Sequence, residues 1–151
     1  MISFHNGDLL ESNCDIICHQ VNLQGVMGGG LALQIATKHP KCEAEYKRMV
    51  QEQNKVELLK GKVCFYCVQA SPLEFIANCF SQNEDFTTNY RCVKNCFKDI
   101  LLFAKMHNLK TIGVPYNYGC GIATGDWNKV EKIFKEIFED EKDINIQIWR
   151  L

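Results

Sequence analysis

The sequence lacks the features that mark membrane, secreted and polyanion-binding proteins. Its longest apolar runs are far shorter than a bilayer span, and the N-terminal segment MISFH does not have the pattern of a signal peptide. The formal net charge is −1, so no excess of basic residues indicates binding to duplex nucleic acid or to an anionic membrane. We therefore expect a cytoplasmic protein without a membrane partner.

The nine cysteines lack the pattern of a disulfide framework or a zinc site. An odd number without an export signal argues against structural disulfides. Cys64 and Cys67 have CxxC spacing, but no second pair accompanies them, and the run KVCFYCV around them predicts a buried strand. We expect no metal and no cofactor, and we expect most of the thiols to fill the core.

The best-known phosphate-binding motifs are also missing. No GxxxxGK[ST] segment is present, which excludes a P-loop nucleotidase. Gly28, Gly29 and Gly30 stand in a row, but the third glycine of a GxGxxG dinucleotide fingerprint is absent at the required spacing.

What is present is the alternating pattern of an α/β protein. The 151 residues and the 46% hydrophobic share are typical of one globular domain, residues 1–151, and we expect a monomer. The predicted strands are residues 2–4 (at a sheet edge), 15–21, 62–69, 75–80, 111–115 and 144–149. The predicted helices are residues 30–38, 42–53, 87–107 and 126–140. This order predicts a three-layer α/β/α sandwich with a mixed central sheet, in which strands 62–69 and 75–80 form a hairpin through the turn Ala70-Ser71-Pro72.

Two glycine-rich segments follow predicted strands. Glycine loop 1 (residues 24–30, QGVMGGG) follows strand 15–21, and glycine loop 2 (residues 118–125, YGCGIATG) follows strand 111–115. Each glycine destabilises a regular element by roughly 0.5–1 kcal/mol relative to alanine, so such clusters need a reason. In α/β sheets ligands bind at the carboxyl ends of strands, where bare amides at a helix start attract anions. The two loops predict a diphosphate held between them, with a simple turn as the alternative for loop 1.

Three separated segments resemble the macrodomain family, whose fold binds ADP-ribose. They are Gly7-Asp8-Leu9 ahead of a strand, HQVNLQGVMGGGLALQIA from His19, and VPYNYGCGIATGDW from Val114. The similarity extends over the whole chain, including the closing INIQIWRL. It is strongest to the branch with terminal ADP-ribose protein glycohydrolases and yeast-type ADP-ribose 1″-phosphate phosphatases. The resemblance therefore implies a macrodomain-like sandwich that binds ADP-ribose or one of its derivatives.

The resemblance also implies a role for each matching residue. Asp8 accepts a hydrogen bond from the adenine amino group with Leu9 beside it, Leu151 lines the nucleoside pocket, and Asn22 lies near the distal ribose. The residues implied around the ribose and the diphosphate are Val26, Met27, Gly28, Gly29, Gly30, Leu31, Asn117, Tyr118, Gly119, Cys120, Gly121, Ile122 and Ala123. A turn cap is the alternative role for Asp8, and a frayed chain end is the alternative for Leu151.

The chain departs from this branch at the residues of catalysis. Its glycohydrolases use a lysine and an aspartate, whereas this sequence has Ala123 at the aspartate position and no lysine in Phe80-Ser-Gln-Asn83. Without an amine nucleophile, a covalent imine route is not expected. Asp126 follows three residues later and fits a helix-start carboxylate. The catalytic candidates are His19 and Asn22, where His19 would act as a general acid or would position water, and a core histidine is the alternative.

Two functions of different classes remain open. The first is a hydrolase that acts on ADP-ribose 1″-phosphate, an acyl ester or protein-linked ADP-ribose. The second is a reader that binds ADP-ribose, or an ADP-ribosylated protein or nucleic acid, without catalysis. The missing lysine and aspartate favour the reader, while the absence of an attached targeting module favours the enzyme. We expect the hydrolase.

Overall fold

The computed structural model describes residues 1–70 and 72–151, and within them six strands form one sheet with helices on both faces. The strands are β1 (Ile2–Asn6), β2 (Ile16–Val21), β3 (Val63–Cys67), β4 (Phe75–Phe80), β5 (Thr111–Pro115) and β6 (Asn145–Arg150). The helices are α1 (Gly30–Lys38), α2 (Pro40–Gln51), α3 (Tyr90–Met106) and α4 (Trp127–Phe138). Two short 3-10 helices, Leu9–Glu11 and Val56–Leu59, were not predicted.

The sheet is mixed, with the strand order β1-β6-β5-β2-β4-β3. All neighbours pair in parallel except β3, which runs antiparallel to β4. Helices α3 and α4 pack together over the larger core on one face, and α1 and α2 pack together on the other. The predicted three-layer α/β/α sandwich is therefore confirmed, as is the hairpin of β3 and β4, although Ser71 of its turn lies outside the described residues.

Side-chain caps explain where two of the helices begin. Asn89 Oδ1 accepts a hydrogen bond from Cys92 N at 3.0 Å, so α3 begins at Tyr90 and not at residue 87. Asp126 Oδ1 accepts one from Asn128 N at 2.9 Å at the start of α4, which confirms this carboxylate as a helix cap. Helix α2 begins at Pro40, two residues before the predicted start, because proline is favoured in the first turn.

The prediction of a buried strand around the CxxC segment was wrong. Strand β3 lies at the edge of the sheet beside β4 alone, and Cys67 is exposed. The short run of apolar residues could not distinguish a central strand from an edge strand whose one face packs on the core. Cys64 is buried on the inward face, and all nine thiols are free.

None of the helices within the described residues has the length and apolar character needed to cross a membrane.

Candidate functional site

Glycine loops 1 and 2 lie side by side at the carboxyl edge of the sheet. They follow β2 and β5, which are parallel neighbours with Ile16 opposite Ile112. Both loops therefore emerge on the same edge, as the prediction from the strand order required.

Three adjoining cavities form a continuous cleft along this edge. The first, about 380 Å³, lies near the ends of β1 and β6 and is lined by residues that include Asp8, Trp149 and Leu151. The second, about 350 Å³, lies between the two glycine loops and shares Leu31 and Asn117 with the first. The third, about 320 Å³, lies beyond them and shares Gln20, Gly29, Ala32, Gln82 and Ile122 with the second. All the predicted binding residues except Met27 and Cys120 line this cleft.

Some of the loop glycines are required by the fold itself. Gly30 and Gly119 have φ angles of +56° and +70°, a region that side chains rarely adopt. A Cβ on Gly119 would also lie 2.8 Å from Thr88 Oγ1, and one on Gly125 would lie 2.5 Å from the carbonyl oxygen of Gly119. These contacts explain part of loop 2 without any ligand.

Gly29 and Gly121 have no such explanation within the protein. Neither has a positive φ, and a Cβ added at either position would meet no other atom within 4 Å. Gly29 adopts extended backbone angles of −159° and 165°, which any residue can adopt. Both glycines line the second cavity, from opposite loops. The fold leaves room for a side chain there, so packing within the protein does not explain either glycine.

The Asn22 side chain holds the shape of loop 1. Its Oδ1 accepts hydrogen bonds from Gln24 N at 3.1 Å, Val26 N at 3.3 Å and the Tyr46 hydroxyl at 2.6 Å. Its Nδ2 donates to Val26 O at 2.9 Å, which leaves one amide hydrogen free of these contacts. Asn22, one of the two catalytic candidates, therefore stabilises the conformation of loop 1. It also lines the third cavity, with one amide hydrogen that is not bonded to loop 1.

The backbone is strained at two positions, one just before loop 2 and one within it. Asn117 and Thr124 have φ angles of 64° and 60°, and the latter is unusual for a β-branched residue. Thr88 anchors the loop, because its N–H donates to Ala123 O at 3.1 Å and its hydroxyl donates to Gly119 O. Backbone strain of this kind is frequent at ligand sites, where the surroundings hold it in place.

Four predicted binding residues turn their side chains into the interior. Met27 is 3% exposed in the core under loop 1, and Tyr118 and Ala123 are also buried. Cys120 packs against the larger core, and its thiol donates to Tyr118 O at 3.2 Å. Any contact of Met27 or Cys120 with a ligand is therefore left to the backbone.

The first cavity combines a capping carboxylate with aromatic rings. Asp8 Oδ1 accepts from Leu10 N at 2.9 Å, so the turn-cap role is confirmed, while the residue still lines the cavity. The Trp149 ring stacks on His5 with centroids 4.9 Å apart, and the Arg150 guanidinium lies 4.8 Å from the centre of the Tyr116 ring. Leu151 is 97% exposed at the rim.

His19 forms part of the wall of the second cavity and is fixed by a buried asparagine. Asn78 Nδ2 donates to Cys64 O at 3.1 Å, so Asn78 Oδ1 faces His19 Nε2, 2.5 Å away, and must accept from it. This leaves Nδ1 as a bare acceptor, and it is buried without a partner. Burial lowers the pKa of His19, so the ring is neutral at pH 7.

The lowered pKa of His19 predicts a loss of stability in mild acid. Because the folded chain resists protonation of this ring, its contribution to the free energy of unfolding is present above 6.5, the ordinary histidine value, and is lost as the pH falls through the folded pKa. Urea unfolding at pH 7.5 and pH 5.5 should show this decrease, and His19→Gln should reduce it. His39→Gln is the matched variant for comparison. The pKa of the partly buried His39 is also lowered by burial, so its share of the pH dependence has to be measured separately from that of His19. An unchanged pH dependence in His19→Gln would contradict the assignment.

The thiols predict one fast reaction with a disulfide reagent. Cys67 is exposed, whereas burial raises the pKa of the Cys120 thiol to about 11, which leaves little reactive thiolate near pH 8. Ellman's reagent should label one thiol quickly in the native protein and nine after denaturation. Adding EDTA should change neither number. Cys67→Ser should remove the fast phase; a fast phase that persists would place a second reactive thiol at the surface.

The residues that sequence reasoning missed lie at the ends of strands and on the segment after β4. Trp149 and Arg150 end β6 on the same edge as the glycine loops, so the rule that located those loops would have found them. Gln82 and Phe86 line the third cavity from the segment after β4, and no motif marks them.

Comparison with known proteins identifies the family of this chain. Residues 18–134 match the family model described as Macro domain. The chain belongs to the macro domain family. The resemblance to macrodomains, which rested on three separated segments of the sequence, is thus confirmed.

Curated macrodomain relatives carry two hydrolase names. A DNA ADP-ribosyl glycohydrolase of Mycobacterium tuberculosis is 24% identical over 149 residues, which cover 99% of this chain and 42% of that protein. An ADP-ribose 1″-phosphate phosphatase of Candida glabrata is 43% identical over 47 residues, 30% of this chain and 26% of that protein. The matched segments cover less than half of the length of each of these relatives.

Solved structures share the macrodomain fold over nearly the whole chain. The macrodomain of Mycobacterium tuberculosis DarG has a TM-score of 0.88 at 24% identity, covering 99% of this chain and 97% of that one. Thermosipho africanus DarTG in complex with ADP-ribose has a TM-score of 0.83 at 20% identity, covering 99% of this chain and 42% of that one.

Proposed function

We propose that this macrodomain binds ADP-ribose along the three-part cleft and hydrolyses a bond to the distal ribose. The observation that carries the proposal is the pair Gly29 and Gly121, two bare positions on facing loops that the fold does not require. A diphosphate between the loops would meet backbone amides at the start of α1, where the helix dipole favours an anion. The Thermosipho africanus protein, which shares this fold, forms a complex with the same ligand.

The lining of the cleft supports one direction for the ligand. The first cavity has the Asp8 carboxylate, which retains acceptor capacity for an adenine amino group, and apolar surface beside Leu9 and Leu151. The third cavity has carboxamides from Asn22 and Gln82, which suit the hydroxyls of a ribose. We therefore place the adenosine in the first cavity, the diphosphate in the second and the distal ribose in the third.

The reaction proposed is attack by water, without a covalent intermediate. No lysine and no carboxylate lines the second or third cavity among residues 1–70 and 72–151. Lys60, which precedes β3, forms an ion pair at 2.7 Å with Glu84 on the segment after β4. We assign His19 as the group that accepts a proton from water, because it is the one side chain in the described wall of the second cavity with a basic nitrogen that lacks a hydrogen-bond partner.

The missing lysine predicts the absence of an enzyme–sugar adduct. An imine needs an amine nucleophile beside the ribose, and the cleft offers none in the part of the chain that the structure describes. Borohydride added during turnover should therefore trap no labelled protein by mass spectrometry. A lysine adduct would show that a covalent route exists.

The third cavity favours a distal ribose that carries an uncharged substituent over one that carries a phosphate. Its rim carries the exposed apolar side chains of Val26, Phe86 and Ile122, and within the described residues no cation lines it. A phosphate dianion there would lose hydration without a compensating charge. Among the candidate substrates, base-linked or ester-linked ADP-ribose therefore fits better than the 1″-phosphate.

Product release from a panel of substrates tests the activity. The protein is incubated with ADP-ribosylated DNA, ADP-ribosylated glutamate, O-acetyl-ADP-ribose and ADP-ribose 1″-phosphate, and release is followed by mass spectrometry. Turnover of the first three above the 1″-phosphate supports the proposal. Binding without turnover of any of them would make the protein a reader, the function that the absent lysine and aspartate favour.

A further inference from the structure

Buried polar atoms without a hydrogen-bond partner are concentrated at the second cavity. In the described part of the chain they are Ser12 Oγ, His19 Nδ1 and Gln82 Oε1. Two of the three belong to residues that line the same cavity, and Gln82 also lines the third. A buried acceptor without a partner destabilises a protein, so each such atom needs an explanation.

A chain of hydrogen bonds fixes the orientation of the Gln82 carboxamide. Gln20 Nε2 lies 3.2 Å from Ser81 O, a carbonyl that only accepts, and 3.0 Å from Ser81 Oγ. The nitrogen of Gln20 must therefore face Ser81, and Gln20 Oε1 faces the other way. Gln82 Nε2 donates to that oxygen at 2.9 Å. The amide of Gln82 cannot be reversed without setting two oxygens against each other, so Oε1 is the atom left without a partner.

The same chain of hydrogen bonds also connects Gln82 to loop 2. The Ser81 hydroxyl lies 2.7 Å from the hydroxyl of the buried Tyr118, and Gln20 Nε2 lies 3.3 Å from Thr88 Oγ1. Thr88 anchors Gly119 and Ala123 of loop 2. The carboxamide is therefore held in one position by the same elements that shape the cleft, which is the arrangement that a specificity-determining acceptor needs.

We propose that Gln82 Oε1 accepts a hydrogen bond from a hydroxyl of the distal ribose and so selects ADP-ribose over ligands that end at the diphosphate. The inference rests on the proposed function, since it assumes that the cleft holds ADP-ribose in the stated direction. Gln82 offers no nucleophile and no titratable group, so its contribution is one of recognition. A hydroxyl is the complementary partner, because an anion would face a lone pair of electrons.

Calorimetry with two ligands and two variants tests the inference. Gln82→Met keeps the length of the side chain and removes the acceptor, and Gln51→Met, an exposed position at the end of α2, is the matched control. Gln82→Met should weaken ADP-ribose binding by about 10-fold, the scale of one hydrogen bond, and should change ADP binding by less than about 2-fold. Gln51→Met should change neither.

The outcomes separate this inference from the proposed function. An equal loss for ADP-ribose and ADP in Gln82→Met would show a structural effect through loop 2 and would overturn the inference, as would no loss for either ligand. A melting temperature measured for each variant identifies a folding defect, and Gln82→Asn, which shortens the side chain but keeps the amide, should then reproduce the selective loss. If the unmodified protein binds neither ligand, the proposed function itself fails.

Discussion

Replacing Gly29 with valine is expected to weaken ADP-ribose binding by at least about 100-fold, a change of about 2.7 kcal/mol in binding free energy. The valine side chain would occupy the second cavity, where a Cβ at this position meets nothing of the protein itself, and would keep the diphosphate away from the backbone amides of α1. Because the backbone here is extended and the change affects only the N-cap of α1, the melting temperature should fall by no more than a few degrees. Calorimetry and a thermal melt on the same preparation measure both.

Gly113→Ala supplies the opposite control. A Cβ on this glycine of β5 would lie 2.7 Å from Leu9 Cδ1 and 2.9 Å from Cys14 Sγ, in packed interior. Overpacking of this kind destabilises the folded protein by about 1–3 kcal/mol, so the melting temperature should fall by several degrees.

If Gly29→Val binds ADP-ribose as tightly as the unmodified protein, the diphosphate does not lie between the glycine loops.

Turnover is expected to fall by about 100-fold or more in His19→Ala, while ADP-ribose affinity changes by less than about 3-fold. The imidazole is the one side chain in the wall of the second cavity, among the described residues, that has a basic nitrogen without a hydrogen-bond partner, whereas the ligand itself is held by backbone. Rates on the substrate that the release panel identifies, together with calorimetry, separate the two effects.

Two further variants serve as controls for the effect of His19→Ala on turnover. His19→Ala leaves Asn78 Oδ1 without its donor, so a thermal melt is needed, and His19→Gln restores an amide donor at similar size. His39→Ala, at the junction of α1 and α2, should keep full turnover. An unaltered rate in both His19 variants would return this histidine to the role of a core residue.

The parts of the site that follow from strand order could be predicted from the sequence. The glycine loops were located because both follow apolar strands, and parallel strands bring their carboxyl ends to one edge. The end of β6 obeys the same rule, and Trp149 and Arg150 escaped notice because no glycine marks that strand end.

The parts that depend on long-range contacts could not be predicted. The Tyr46 hydroxyl reaches Asn22 across 24 positions of the chain, and Gln82 is oriented through Gln20 across 62. Met27 and Cys120 turn inward within irregular loops, where side-chain direction follows no period. Similarly, β3 shows the same apolar run that a central strand would show, and only its pairing reveals the edge.

Titration of the purified protein with ADP-ribose and, separately, with AMP decides whether the cleft is an ADP-ribose site. We expect a dissociation constant in the micromolar range or below for ADP-ribose, about −8 kcal/mol, because adenosine, diphosphate and distal ribose each fill one cavity of the cleft. AMP should bind much more weakly, since it leaves the third cavity and most of the second empty. An absence of ADP-ribose binding at millimolar ligand, or equal affinity for the two ligands, would contradict this assignment.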